Sequence, residues 1–161
     1  MTTKHPTGLA DERRRIFEYA EYFEQASHIL LRRDVEKAIT NAPGVVNSAF
    51  SLELYFKCLL HIETCKWVRG HHLKTELFDS LTKDHQDRIK AHYAAEAAKG
   101  MNGLLINLSL EQHLDSSDDA FPHWRYAFEH PAKTKVYSGA ILIPFVRAVI
   151  LEDVPALRAG R

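Results

Sequence analysis

The stretch Val45–Lys66, VVNSAFSLELYFKCLLHIETCK, decides the fold. It has no interior Gly or Pro and is long enough for about six helical turns. On a wheel of about 100° per residue, Val45, Ala49, Leu52, Phe56, Leu59 and Leu60 share one side. Tyr55 and Ile62 widen that side, and Leu54, Cys58 and Cys65 lie nearly opposite. An apolar surface that wraps this far predicts a helix packed on several neighbours rather than one lying on the surface. One polar stripe interrupts it: Glu53, Lys57, His61 and Thr64.

The flanking sequence repeats the helical theme. Residues 1–10 read as a flexible lead. Asp11 is placed to cap a long first helix reaching about Ile39, with Ile16, Ala20, Phe23, Leu30 and Leu31 turned inward. Arg13, Arg14, Arg15, Arg32 and Arg33 read as its solvated face, the alternative being a phosphate-contacting ridge. Asn41-Ala42-Pro43-Gly44 reads as the turn into the central helix, and so short a connection predicts antiparallel packing. Gly70 suits a left-handed cap after that helix. Next come a short amphipathic helix from Leu73 to Leu81, an Ala-rich surface helix over Asp84–Lys99 and a helix over Leu104–Leu114. A polar loop over Asp115–Asp119 follows. Phe121–His130 is the most aromatic stretch. The last helix is expected over Val136–Leu151, bent at Pro144. Residues 153–161 read as a loose tail. The fold class is therefore all-α: one helical bundle over 11–152, built on a long antiparallel pair with a late apolar helix.

Composition narrows the function classes. The 161 residues carry 21 basic and 21 acidic side chains, so no global field draws in nucleic acid or membrane, and any phosphate-binding surface is local. Ten histidines predict pH-dependent behaviour near neutrality. Cys58 and Cys65, about 10 Å apart along one helix, are too far apart to bridge, which suits a reducing, cytoplasmic compartment. The N-terminus lacks the apolar core of a signal peptide. The most apolar run, Val136–Leu151, is short for a membrane span and contains Pro144 and Arg147, so no membrane association is expected.

Several side chains stand out as candidates. Glu53 and Lys57 have the favourable spacing for an ion pair, which could fix helix packing or support a polar site. His71 and His72 follow the glycine cap, where one imidazole could cap a helix or pair with Glu53. Cys58, His61 and Cys65 have half the spacing of a zinc site, but the partner half is absent, so no metal and no cofactor are expected. Arg125 and Glu129 are spaced to pair. Trp124, Tyr126 and Phe128 suit either core packing or base stacking.

Three of these pieces together resemble the HEPN (higher eukaryotes and prokaryotes nucleotide-binding) domains. They are Asn47–Lys57 of the central helix, Gly70-His71-His72-Leu73 through Leu81, and Trp124-Arg125-Tyr126-Ala-Phe-Glu129. The resemblance covers roughly residues 10–152. It implies a small helical bundle that dimerises and binds RNA or a nucleotide. In many members it also implies a metal-independent ribonuclease of toxin–antitoxin or phage-defence type. On that reading Arg125 holds the scissile phosphate and His130 acts as acid/base in 2′-hydroxyl attack. Glu53, Lys57, His71, His72, Trp124, Tyr126 and Glu129 then bind or support. The alternative is a non-catalytic interaction or dimerisation module, for example one pairing with a nucleotidyltransferase-like protein. There the WRYxxE motif is structural, and Arg125 pairs with Glu53 or Glu129. In either case Glu53 is expected to contact His71, His72 or Arg125.

Overall fold

A computed structural model describes residues 6–32, 42–99, 108–118 and 137–160. These residues form five α-helices and four short helical turns, and no strand occurs among them. The chain is all-α.

Helix α1 spans Pro6–Arg32. It begins before the expected Asp11 cap, so part of the supposed lead is helical. Proline suits the first helical position, where its fixed φ is already helical and its missing N–H would have no partner anyway. Helix α2 spans Ala42–Thr64. The supposed turn at Ala42–Gly44 is its first turn. A Cβ on Gly44 would lie 2.9 Å from Leu31 Cγ, so glycine lets the two helices approach closely there. The pair is antiparallel: Glu12 meets His61, Ala20 meets Ser51, and Leu31 meets Gly44.

The apolar wrap of α2 has the predicted consequence. Leu52, Tyr55, Phe56, Cys58 and Leu59 are all fully buried. Each such side chain contributes about 1.5–3 kcal/mol through removal from water. Phe17 of α1 meets Tyr55 edge-on at 5.6 Å, and Phe56 meets Phe78 at 6.0 Å. Burial, then the hydrogen bond to Glu24, push the Tyr55 phenol far above its ordinary pKa, so it stays a donor.

α2 stops at Thr64, earlier than expected. Thr64 Oγ1 donates to Leu60 O and accepts from Lys66 N, and Cys65 turns left-handed with φ 54°. Gly70, expected as the helix cap, instead makes a second turn farther along, with φ 127°. A wide, π-helical turn over Leu73–Leu77 and a tight 3-10 turn over Phe78–Ser80 bury Leu73, Leu77 and Phe78. Helix α3, Lys83–Ala98, buries only His85 and Ile89, as its Ala-rich polar sequence suggests.

Helix α4 is Leu110–Ser117, not Leu104–Leu114. Ser109 and Gln112 form a reciprocal capping box that fixes its start, and the helix runs on through part of the supposed polar loop. Residues 100–107 lie outside the described residues. Near the C-terminus, Gly139–Leu142 is a short helical turn, and α5 spans Ile143–Asp153. Pro144 therefore opens α5 and does not bend a longer helix. The supposed loose tail forms a further helical turn, Pro155–Gly160, that buries Leu157. No helix among the described residues is long and apolar enough to cross a membrane.

Candidate functional site

Glu53 sits at the centre of α2 with none of its surface exposed. A buried carboxylate is tolerated only with charge partners and hydrogen bonds. It has both. Lys57 Nζ donates to Oε1 at 2.7 Å, and His71 Nδ1 lies 3.1 and 3.2 Å from the two oxygens. The central helix and the Gly70–Leu81 segment, two of the three pieces behind the family resemblance, thus meet at Glu53. Lys57 is largely buried, whereas the His71 side chain is 61% exposed. The polar stripe of α2 is a seam that starts inside the bundle and emerges on an imidazole.

The loop carrying that imidazole is held at several points. Glu76 Oε2 accepts from the backbone N–H of His71 at 2.8 Å and of His72 at 3.2 Å. These two bonds hold the Glu76 carboxyl below the usual range. A Cβ on Gly70 would lie 2.6 Å from the same oxygen, and φ 127° is disfavoured for other residues, so this position requires glycine. From across the sequence, Asp118 Oδ1 accepts from Lys74 N and Thr75 N, capping the Leu73–Leu77 turn. Asp118 also approaches His72 Nδ1 at 3.9 Å. Asp118 belongs to the stretch read as a polar loop, and nothing local in the sequence announces its capping role.

A second polar cluster joins three helices. The His85 ring, 6% exposed, lies between Glu63 of α2 and Asp153 of α5, with its Nε2 2.6 Å from Asp153 Oδ2. Thr82 donates to Glu63 from both its N–H and its hydroxyl. Arg88 holds Asp153 at 2.7 Å and Glu152 at 2.8 Å, and His92 holds Glu152 at 2.8 Å. Arg88, then His92, draw the Glu152 carboxyl down. Every group here faces another protein group, so the cluster acts as a clamp.

A third cluster looks like a nucleophile beside a base, since Ser138 Oγ lies 2.8 Å from His113 Nδ1. Counting protons removes that reading. Ser116 Oγ donates to His113 O at 2.9 Å, so the 2.8 Å contact between Ser116 and Ser138 needs the Ser138 proton. The Ser138–His113 proton must then sit on Nδ1, and His113 donates to the serine instead of activating it. Its Nε2 is buried without a partner, and burial lowers the imidazole pKa.

The supposed half zinc site does not assemble. His61 pairs with Glu12 at 3.2 Å, Cys58 is buried, and Cys65 is exposed beside Arg13 Nη2 at 3.3 Å. Among the described residues no group of three or more His, Cys, Asp or Glu side chains is placed to hold a metal. Arg13 is also not fully solvated, since its Nε is buried. Farther along α1, Glu18, Glu21, Tyr22, Glu24, Gln25 and His28 line a cavity of about 560 Å³ with Arg147.

Trp124, Arg125, Tyr126, Glu129 and His130 lie outside the described residues, as does any contact they make with Glu53. Compared with known protein families, with curated proteins and with solved structures, the chain gives no match.

Proposed function

We propose that this chain is a HEPN-like domain that binds RNA or a nucleotide, with Arg125 and His130 as the candidate phosphate ligand and acid/base of a metal-independent ribonuclease. The observation that carries this reading is the seam ending on His71. A fully buried carboxylate orients a half-exposed imidazole, and lysine stands beside it. Carboxylate-oriented histidines suit phosphate binding and proton transfer. The proposed site residues are Arg125 and His130, supported by Glu53, Lys57, His71 and His72, in a homodimer. The proposed setting is the cytoplasm, where Cys58 and Cys65 stay reduced.

The test is incubation of the protein with structured and single-stranded RNA in EDTA, beside Arg125→Ala and His130→Ala. Cleavage by wild type alone supports the ribonuclease. Equal cleavage by all three, or binding without cleavage, removes the catalytic part. Absence of binding removes the whole reading.

A second reading, a non-catalytic interaction module, is favoured by the α1 cavity. Its three glutamates outnumber Arg147, which pairs with Glu21, and the exposed Tyr22 adds an aromatic face, a lining that suits a protein partner better than phosphate. A stoichiometric complex with a partner, formed without RNA and lost on Tyr22→Ala, would favour it.

A further inference from the structure

The segment between α2 and the Leu73–Leu77 turn has a composition unlike the rest of this neutral chain. From Cys65 to Thr75 it contains Lys66, Arg69, His71, His72 and Lys74 and no acidic residue. Lys66, Trp67 and Arg69 are exposed, Trp67 by 60%. Arg13 of α1 reaches the same place through Cys65. The nearby carboxylates are turned to other tasks. Glu76 holds two backbone N–H groups, Glu53 is buried on Lys57 and His71, and Glu63 faces Thr82 and His85. The charged side chains that residues 65–70 themselves leave to solvent, Lys66 and Arg69, are both basic.

It is also pre-shaped. Cys65 and Gly70 both take positive φ, Val68 packs on the core, and the Trp67 ring rests edge-on against His61 at 5.7 Å. A base stacked on an aromatic ring and phosphates held by flanking cations are how single strands are bound without sequence reading. A membrane surface is a poorer occupant, because Trp67 is the one large apolar side chain the loop exposes and interfacial binding needs several.

Resting on the RNA-binding reading above, we propose that Lys66–His72 is the contact surface for single-stranded RNA. An unpaired base stacks on Trp67, and Lys66, Arg69 and Arg13 hold the neighbouring phosphates.

The test is fluorescence anisotropy with a labelled single-stranded RNA, the same sequence as a duplex, and anionic vesicles, each titrated at several salt concentrations. Trp67→Ala is expected to weaken single-strand binding roughly 10- to 100-fold, while Trp67→Phe, which keeps a stacking face, restores most of it. Neutralising Lys66 and Arg69 to Gln is expected to reduce the slope of log affinity against log salt by about 1.4, or about 0.7 per phosphate contact. The duplex is expected to bind more weakly than the single strand. Trp67 and its neighbours are exposed, so these variants keep the fold, which their thermal melts check. If wild type binds RNA and the loop variants bind as tightly, the loop assignment falls while the RNA-binding reading stands. If wild type binds no RNA, both fall. Preference for the duplex, or for vesicles over RNA, overturns the single-strand assignment.

Discussion

Replacing His85 with alanine tests how much of the bundle's stability lies in a buried imidazole bridge. His85 links the end of α2 to the end of α5 through Glu63 and Asp153, and both bonds join an imidazole to a carboxylate. Hydrogen bonds to charged groups contribute about 1.5–3 kcal/mol each, so two give about 3–6 kcal/mol. The remaining carboxylates are not orphaned. Asp153 keeps Arg88, and Glu63 keeps both donors of Thr82, which trims the loss to about 3–4 kcal/mol. For a chain of 161 residues that lowers Tm by roughly 6–15 °C. Urea unfolding at neutral pH gives the free energy, and a thermal melt gives Tm. His85→Gln can keep one of the two bonds and should lose about half as much. A loss below about 1 kcal/mol for His85→Ala would refute the clamp and place the cluster among surface ion pairs of little consequence.

Gly70→Ala forces a side chain into φ 127° against Glu76 and should cost about 1–3 kcal/mol in a denaturant melt; an unchanged midpoint would show that the turn is freely deformable. Burial pushes the Cys58 thiol up to about 12, whereas Cys65 is exposed, so a neutral thiol reagent should label one cysteine in the native protein and two after unfolding. Acid should destabilise in two stages. The His113 pKa is lowered from 6.5 in the fold, so the unfolded chain takes up that proton first and stability falls as pH drops through about 6.5. Glu76, Glu111 and Glu152 are lowered from 4.5, so their contribution is complete above that value and is lost below it. His113→Gln should flatten the first stage alone in a pH series of urea melts.

The central helix was legible because its apolar residues fall all round the wheel, and only a helix with neighbours on several sides hides such a surface. Glu53 was legible as a polar residue on that helix that needs a partner, and it contacts His71. The boundaries were harder. The pattern Ser109-Leu-Glu-Gln112 is a capping box visible in the sequence, yet the apolar run before it drew the expected helix start toward Leu104. Pro43 reads as part of a turn and Pro144 as a bend, although proline is well suited to a helix's first turn, where both lie. The His85 clamp could not be read. His85 is one histidine in a polar helix, and its partners lie 22 and 68 residues away. Asp118 is the same case, holding Thr75 from 43 residues away. Local sequence reports propensity and periodicity; it does not report which distant carboxylate arrives at a given N–H.

Three carboxylates from three parts of the chain converge on residues 71–75: Glu53 from α2, Glu76 from within the turn, and Asp118 from the end of α4. Burying Glu53 is unfavourable unless its partners stay in place, so the bundle is more stable when His71 is fixed. The same bonds anchor the C-terminal side of the loop that carries the exposed Lys66, Trp67 and Arg69. A surface loop would ordinarily be among the first segments to open, since few apolar contacts hold it. Here the His71 and His72 amides should instead exchange slowly, because both donate to Glu76. Hydrogen exchange followed by NMR checks this, and Glu76→Ala is the perturbation, since it removes the acceptor. Because Glu76 is exposed, its loss should speed exchange at these two amides at least tenfold while leaving the amides of α2 unchanged. If Glu76→Ala also weakens RNA binding without lowering the global unfolding free energy, loop rigidity itself contributes to recognition. If both amides already exchange rapidly in the wild type, the loop is not pre-shaped, and the stacking surface on Trp67 has lost its physical basis.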